Sequence, residues 1–214
     1  MIKVLLADDH AIVRDGLKQI LSRTGDIVAG GEAKDGQEVL RLVRDGKWDL
    51  LLMDMSMPGR SGIDLIKQVK SEQPRLPILV LSMHQEHQYA VRAIRAGAAG
   101  YLNKDSASEL LVSAIRKVVS GGVFVSQTAA ELLARETMGG ADAAPHTLLS
   151  DREFQVFNMI VQGKTVTEIA AELSLSVKTV STHKTHVLEK MNLANQAELV
   201  RYAIAHQLLD GQPD

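Results

Sequence analysis

The sequence predicts a doubly wound α/β domain on a five-stranded parallel sheet, followed by a second, all-α domain of four helices that includes a helix-turn-helix. Three observations carry this. Over the first 120 residues, five short apolar runs alternate with segments of helical period, the rhythm of βα units. The runs are continuous rather than alternating, as expected of strands buried on both faces. From Ser150 onward, after small, Gly- and Pro-containing residues, the pattern is helical throughout.

Each element follows in order. Ile2–Ala7 is the first strand, closed by Asp8-Asp9, and a helix spans His10–Ser22. Strand Ile27–Ala33 precedes a helix over Gln37–Arg44. Strand Leu50–Asp54 is an apolar run ending in a carboxylate, and Met57-Pro58-Gly59-Arg60-Ser61-Gly62 turns the chain into a helix over Ile63–Ser71. Strand Ile78–Ser82 leads to helix Gln88–Ala96, and strand Gly100–Asn103 to helix Ser108–Ser120, where Gly121-Gly122 breaks the rhythm. Residues 1–125 form the first domain. Residues 126–146 form a linker with a short helix, Thr128 to about Thr137, capped by Ser126. Residues 147–214 form the second domain.

Composition sets the bounds. The 214 residues are 45% hydrophobic but only 3% aromatic, so the core is Leu, Ile, Val and Ala; with no cysteine, disulfides and thiolate metal sites are excluded. Met1-Ile2-Lys3 enters a strand directly and no segment offers about 18 unbroken apolar residues, so a cytoplasmic protein without membrane contact is expected. Net charge is −2, and residues 150–214 carry six Lys/Arg against eight Asp/Glu. Any nucleic-acid site must therefore be a local patch.

Open α/β sheets place their chemistry at the carboxyl ends of the strands, and there Asp8, Asp9 and Asp54 converge. Two like charges about 4 Å apart cost on the order of 4 kcal/mol at an effective dielectric near 20. A hard divalent cation relieves this, and an all-oxygen, carboxylate-rich site suits Mg²⁺. Ser82 and Lys104 end two further runs at the same edge. A hydroxyl, an ammonium and a metal around one carboxylate are the parts that hold a phosphoryl group on it. Taken singly, these residues read otherwise: Asp8 and Asp9 as helix caps, Lys104 as a solvated loop lysine.

The set Asp8-Asp9, Asp54 with Met57-Pro58, Ser82, Tyr101 and Lys104 resembles the CheY-like receiver domain of two-component response regulators over roughly residues 1–125. The resemblance implies that Asp54 is the phosphoacceptor for a sensor histidine kinase. It implies that Asp8, Asp9, Asp54 and the backbone carbonyl of Ser56 hold Mg²⁺, and that Lys104 pairs with the phosphoryl oxygens. Ser82 and Tyr101 become the switch pair: the phosphoryl group draws Ser82 toward it and Tyr101 moves inward. Aspartyl-phosphate phosphatases of the haloacid dehalogenase type use similar parts but carry a second acid two residues after the nucleophile. Here that position is Ser56, so slow self-dephosphorylation is expected in place of enzymatic turnover.

In the second domain, Ser150-x-x-Glu153 and Thr165-x-x-Glu168 are capping boxes, Ser176 and Asn195 are further caps, and the helices span about 151–162, 166–173, 177–191 and 196–209. The second and third, joined by Ser174-Leu175-Ser176, read as a helix-turn-helix. Val177, Val180, Val187, Leu188 and Met191 form its second helix's buried stripe, and Lys178, Ser181, Thr182, Lys184, Thr185 and Lys190 its open face. No acid lies between Glu172 and Glu189, which suits a negatively charged major groove.

Leu149-Ser150, Glu153, Gly163-Lys164-Thr165, Glu168-Ile169-Ala170, Leu173, Leu175-Ser176, Thr179-Val180, His183 and Lys190-Met191 resemble the LuxR-type helix-turn-helix of NarL/FixJ response regulators over about 147–209. The resemblance implies a phosphorylation-switched transcription factor that dimerises on paired promoter half-sites of double-stranded DNA. Ser181, Thr182 and Thr185 are assigned to bases, Lys178, Lys184 and Lys190 to phosphates, with Thr179 also at the interface. Three positions depart from the family's usual basic residues, Thr167, Ser181 and Gln196, so the electrostatic component is thin. Three lysines per subunit of a dimer give a log–log salt slope near about −5. A protein- or RNA-binding output is the alternative for this domain, and the pairs His84/His87 and His183/His186 read as polar surface ahead of metal ligands.

Overall fold

The computed structural model describes residues 1–57, 62–83, 86–137, 144–206 and 208. The Pro58–Ser61 turn, the side chains of His84 and His87, linker residues 138–143 and the last residues of the chain lie outside the described residues. Two compact units divide the chain, Met1–Arg135 and Glu136–Asp214.

In the first unit the strands are β1 (Ile2–Ala7), β2 (Ile27–Ala33), β3 (Leu50–Asp54), β4 (Ile78–Ser82) and β5 (Gly100–Asn103), the five expected runs. They form one parallel sheet in the order β2-β1-β3-β4-β5. The helices are α1 (Ala11–Ser22), α2 (Gly36–Asp45), α3 (Gly62–Glu72), α4 (Glu86–Arg95), α5 (Ala107–Val119) and α6 (Gln127–Thr137).

Alternate strand residues feed opposite cores, because side chains change face at every step. Leu5, Leu51, Met53, Ile78, Val80 and Tyr101 pack with α2, α3 and α4. Val4, Leu6, Leu50, Leu52, Leu79 and Leu102 pack with Leu17 and Leu21 of α1 and Leu111 and Ile115 of α5. Both faces are covered, which accounts for the unbroken apolar runs.

The domain boundary expected at 125 falls too early. Ala129 of α6 is fully buried in the first core, and Val125 packs against it, so α6 belongs to the sheet domain. Phe124 also pairs with the outer edge of β5, accepting from the Tyr101 N–H at 2.8 Å and donating to the Ala99 carbonyl at 3.0 Å. This covers an otherwise open sheet edge.

The second unit opens with a 3-10 turn, Pro145–Leu148, followed by α7 (Asp151–Val161), α8 (Val166–Glu172), α9 (Val177–Met191) and α10 (Gln196–Ala205). Both capping boxes close as expected, and Ser176 and Asn195 cap α9 and α10. The turn between α8 and α9 puts Ser174 in the left-handed region at φ 53. No helix among the described residues is long and apolar enough to cross a membrane.

Gly100 tests the packing at β5. A Cβ there would lie 2.8 Å from Leu79 Cδ1 and 2.9 Å from the Phe124 carbonyl oxygen, a backbone atom that cannot swing aside. Gly100→Ala should therefore destabilise the first unit by about 1–3 kcal/mol, read as a lower urea midpoint with an unchanged slope.

Candidate functional site

The carboxyl edge of the sheet gathers the charged groups. The chain leaves β1 toward β2 on one side and takes up β3 on the other, so a crevice opens beyond the ends of β1 and β3. Backbone pairing fixes both ends: Asp8 N–H donates to the Ala33 carbonyl at 3.1 Å, and Met55 N–H to the Leu81 carbonyl at 3.0 Å. The Asp8 and Asp54 side chains are each only 2% exposed. Lys104 arrives from β5, where Asn103 caps a 3-10 turn over Lys104–Ser106. Its Nζ donates to Asp8 Oδ2 at 2.8 Å and lies 3.1 Å from Asp54 Oδ2.

Two buried carboxylates thus share one ammonium. Burial pushes the Asp54 carboxyl above its ordinary pKa; Lys104 opposes this and Asp8 adds to it. Burial works against the Lys104 ammonium too, but Asp8 and Asp54 together outweigh it and hold its pKa above the usual lysine value.

The structure also answers whether Asp8 caps α1. The N-cap is His10 with no side-chain bond, and Asp8 Oδ1 instead accepts from the His10 N–H at 2.8 Å. The second, exposed acid, Asp9, faces His10 Nδ1 at 3.0 Å. Carboxylate oxygens of Asp8, Asp9 and Asp54 and a ring nitrogen of His10 lie within 4.8 Å of one another, the one such metal-sized cluster among the described residues.

Sequence reading missed two neighbours. His10 is one, signalled only by its place after two acids at a strand end. Arg14 is the other: its Nη1 donates to the Asp8 carbonyl at 2.7 Å and its Nε to Glu32 at 2.8 Å, tying α1 to β2 beneath the site. Ser82 is fully buried at the end of β4, opposite Asn103 of β5, and Ser56 follows β3 with its N–H on the Asp54 carboxylate. Tyr101 is fully buried in the first core.

On α9 of the second unit, Val180, Val187 and Met191 form the buried stripe, while Val177 is half exposed. Lys178, Ser181, Thr182 and Thr185 lie on the exposed face. The Thr182 and Thr185 hydroxyls donate to the carbonyls of Lys178 and Ser181, leaving their oxygens able to accept. Thr179 is tied to the cap by Ser176 at 2.7 Å. Lys184 sits at one flank, its Nζ 2.7 Å from Gln196 Oε1 of α10.

Lys190, assigned from the sequence to DNA phosphates, has a partner within the unit. It lies at the other flank, and its Nζ donates to Glu153 Oε2 of α7 at 2.7 Å. Glu153 is buried, which disfavours its charge, yet Lys190 and Ser150 outweigh burial and hold its pKa below the usual carboxylate range. His183, also half-buried, is held below the ordinary histidine pKa by burial and by Arg152.

Comparison with known proteins matches each unit to a domain family. Residues 4–116 match the model of the response regulator receiver domain, and residues 147–203 that of bacterial regulatory proteins of the luxR family. The chain is 38% identical to the oxygen regulatory protein NreC of Staphylococcus carnosus, over 97% of this chain and 99% of the relative. It is 37% identical to the response regulator UvrY of Escherichia coli K12, over 99% and 98%. Among solved structures, RcsB from Salmonella enterica serovar Typhimurium bound to promoter rprA with the phosphomimetic BeF₃⁻ aligns at a TM-score of 0.68 and 28% identity, covering 94% of this chain and 97% of that one.

Charge crowding at the crevice gives a stability test. An acid whose folded pKa is raised loses stability as pH rises through that value. Asp54→Asn should therefore raise the unfolding midpoint at neutral pH in chelator-treated buffer, and the gain should shrink as pH falls toward 3.8, the ordinary Asp value, where wild-type Asp54 is itself neutral. A variant no more stable than wild type at pH 7 would contradict the charge arrangement.

Proposed function

The chain belongs to the two-component response regulators that join a receiver domain to a LuxR-type helix-turn-helix, and on that premise we propose that a sensor histidine kinase phosphorylates Asp54 to switch DNA binding through α9. One observation carries the reading: Asp8, Asp54 and Lys104 meet within ion-pair distance at the sheet's carboxyl edge, on the same chain as a capped helix-turn-helix.

Carboxylate oxygens of Asp8, Asp9 and Asp54 lie within 4.8 Å of one another, a set of hard oxygens that fits Mg²⁺, and the family resemblance adds the backbone carbonyl of Ser56. When bound, the ion offsets the negative charge of an incoming phosphoryl group. The Asp54 carboxylate takes that group as an acyl phosphate, and Lys104 exchanges its contact with Asp54 for the phosphoryl oxygens. Ser82, buried one strand away, donates its hydroxyl to the same oxygens. Tyr101 is already packed inward, so phosphorylation acts by holding this arrangement rather than by creating it. With Ser56 where a general acid would stand, loss of the phosphoryl group by self-dephosphorylation is slow.

The output is a homodimer on paired half-sites of promoter DNA in the cytoplasm; RcsB bound to promoter rprA, and RcsB dimers bound to DNA, support the DNA and dimer parts of this reading. The N-terminal part of α9 enters the major groove, with Ser181, Thr182 and Thr185 toward bases, Thr179 beside them, and Lys178 and Lys184 toward phosphates.

Labelling with a small phosphodonor tests the acceptor. Asp54→Asn should remove the label entirely, and a hydroxylamine-labile phosphate persisting in that variant would refute the assignment. Lys104→Ala should retain Mg²⁺ binding, because it frees Asp8 and Asp54 oxygens rather than removing a ligand, yet lose phosphorylation-dependent dimerisation. Asp9→Ala should weaken Mg²⁺ binding, read by calorimetry.

Salt dependence tests the DNA face. Two lysines per subunit of a dimer neutralise about four phosphates, for a log–log slope of about −3.6. Thr182→Ala or Thr185→Ala should alter base preference and leave that slope in place. A flat salt dependence would put the wrong face of α9 in the groove.

A further inference from the structure

We infer that Lys190 is a positioning residue, one that holds α9 at its working angle against α7 through Glu153 and makes no phosphate contact. This rests on reading the Lys178–Thr185 face as the one that meets DNA.

The contact is built from the buried side outward. Glu153 is 4% exposed, and its Oε2 accepts both the Ser150 N–H at 2.8 Å and Lys190 Nζ at 2.7 Å. One carboxylate thereby closes the capping box of α7 and grips the last turn of α9, with His186 Nδ1 3.8 Å from its other oxygen. Val187 and Met191 are buried beside Lys190 in sequence, so apolar packing and the ion pair fix the same stretch of helix.

The other flanking lysine differs in kind. Lys184 bonds a neutral amide, Gln196, and its departure for a phosphate strands no charge. Departure of Lys190 strands a buried carboxylate. A phosphate offers the ammonium no more than Glu153 already does. Glu189 adds a second reason: it is exposed on the face of Thr182 and Thr185, one turn further on, and it repels DNA at the level of Lys190.

The two roles give different binding curves. Fluorescence anisotropy of the full chain, on a duplex selected from a random pool and on its scrambled form, is measured across salt concentrations for Lys190→Met, Glu153→Gln, the double variant and Lys178→Ala. Lys190→Met and Glu153→Gln should each weaken selected-duplex binding about tenfold, the scale of one lost base contact. Scrambled-duplex binding and the salt slope should not change, and the double variant should be no worse than either single. The double variant leaves no stranded charge, so it remains folded by circular dichroism and gives a result even if Lys190→Met does not fold.

A slope shallower by about 2 in Lys190→Met, with both duplexes weakened alike and Glu153→Gln neutral, would make Lys190 a phosphate contact and overturn the inference. Lys178→Ala separates the two readings. Should it leave the slope unchanged, the DNA face is misassigned, while the Glu153–Lys190 coupling is still read from the non-additivity of the pair.

Discussion

Two carboxylates buried side by side, Asp8 and Asp54, are the constraint on which the rest of the first unit turns. Both lie within ion-pair distance of one cation, Lys104, which offsets the cost of burying charge. Lys104 must come from β5, so the sheet order, the short β5 and the Asn103-capped turn after it all bear on the site. The segment around Phe124 closes the outer edge of β5, and Ala129 buries the helix that follows. A pair of charges thereby reaches from the first strand to the last helix of the domain.

The same pair explains why the site is poised for a phosphoryl group. Lys104 is a cation held by two anions, and in the proposed step phosphoryl oxygens replace the Asp54 carboxylate as its partner while Asp8 remains. The binding energy is exchanged rather than created, which is what a two-state switch requires. Tyr101 and Ser82, both fully buried, lie on β5 and β4 beside that edge.

How much of this the sequence disclosed depended on whether the signal was local. The strands were legible because a strand buried on both faces is a continuous apolar run, and Leu50–Asp54 and Ile78–Ser82 are just that. The caps were legible because Ser150 and Glu153 lie three residues apart. The Lys190–Glu153 pair spans 37 residues and depends on which flank of α9 meets α7, so spacing alone could not disclose it. Tyr101's burial and the packing of α6 were hidden for the same reason: both depend on tertiary contacts of aromatic and small residues that carry no pattern of their own. Val177 fitted the apolar period of α9 but is half exposed.

The second unit offers DNA little charge: the open face of α9 carries hydroxyls and few lysines, and one flanking lysine pairs with Glu153. Under the proposed function, weak electrostatics leave dimerisation to supply much of the affinity. The most direct measurement is therefore the affinity of the full chain for a selected promoter duplex with and without BeF₃⁻ and Mg²⁺, in wild type and Asp54→Asn. Wild type should bind more tightly when the phosphoryl mimic is added, and Asp54→Asn should not respond. An equal response in both, or none in wild type, would contradict a switch seated at Asp54.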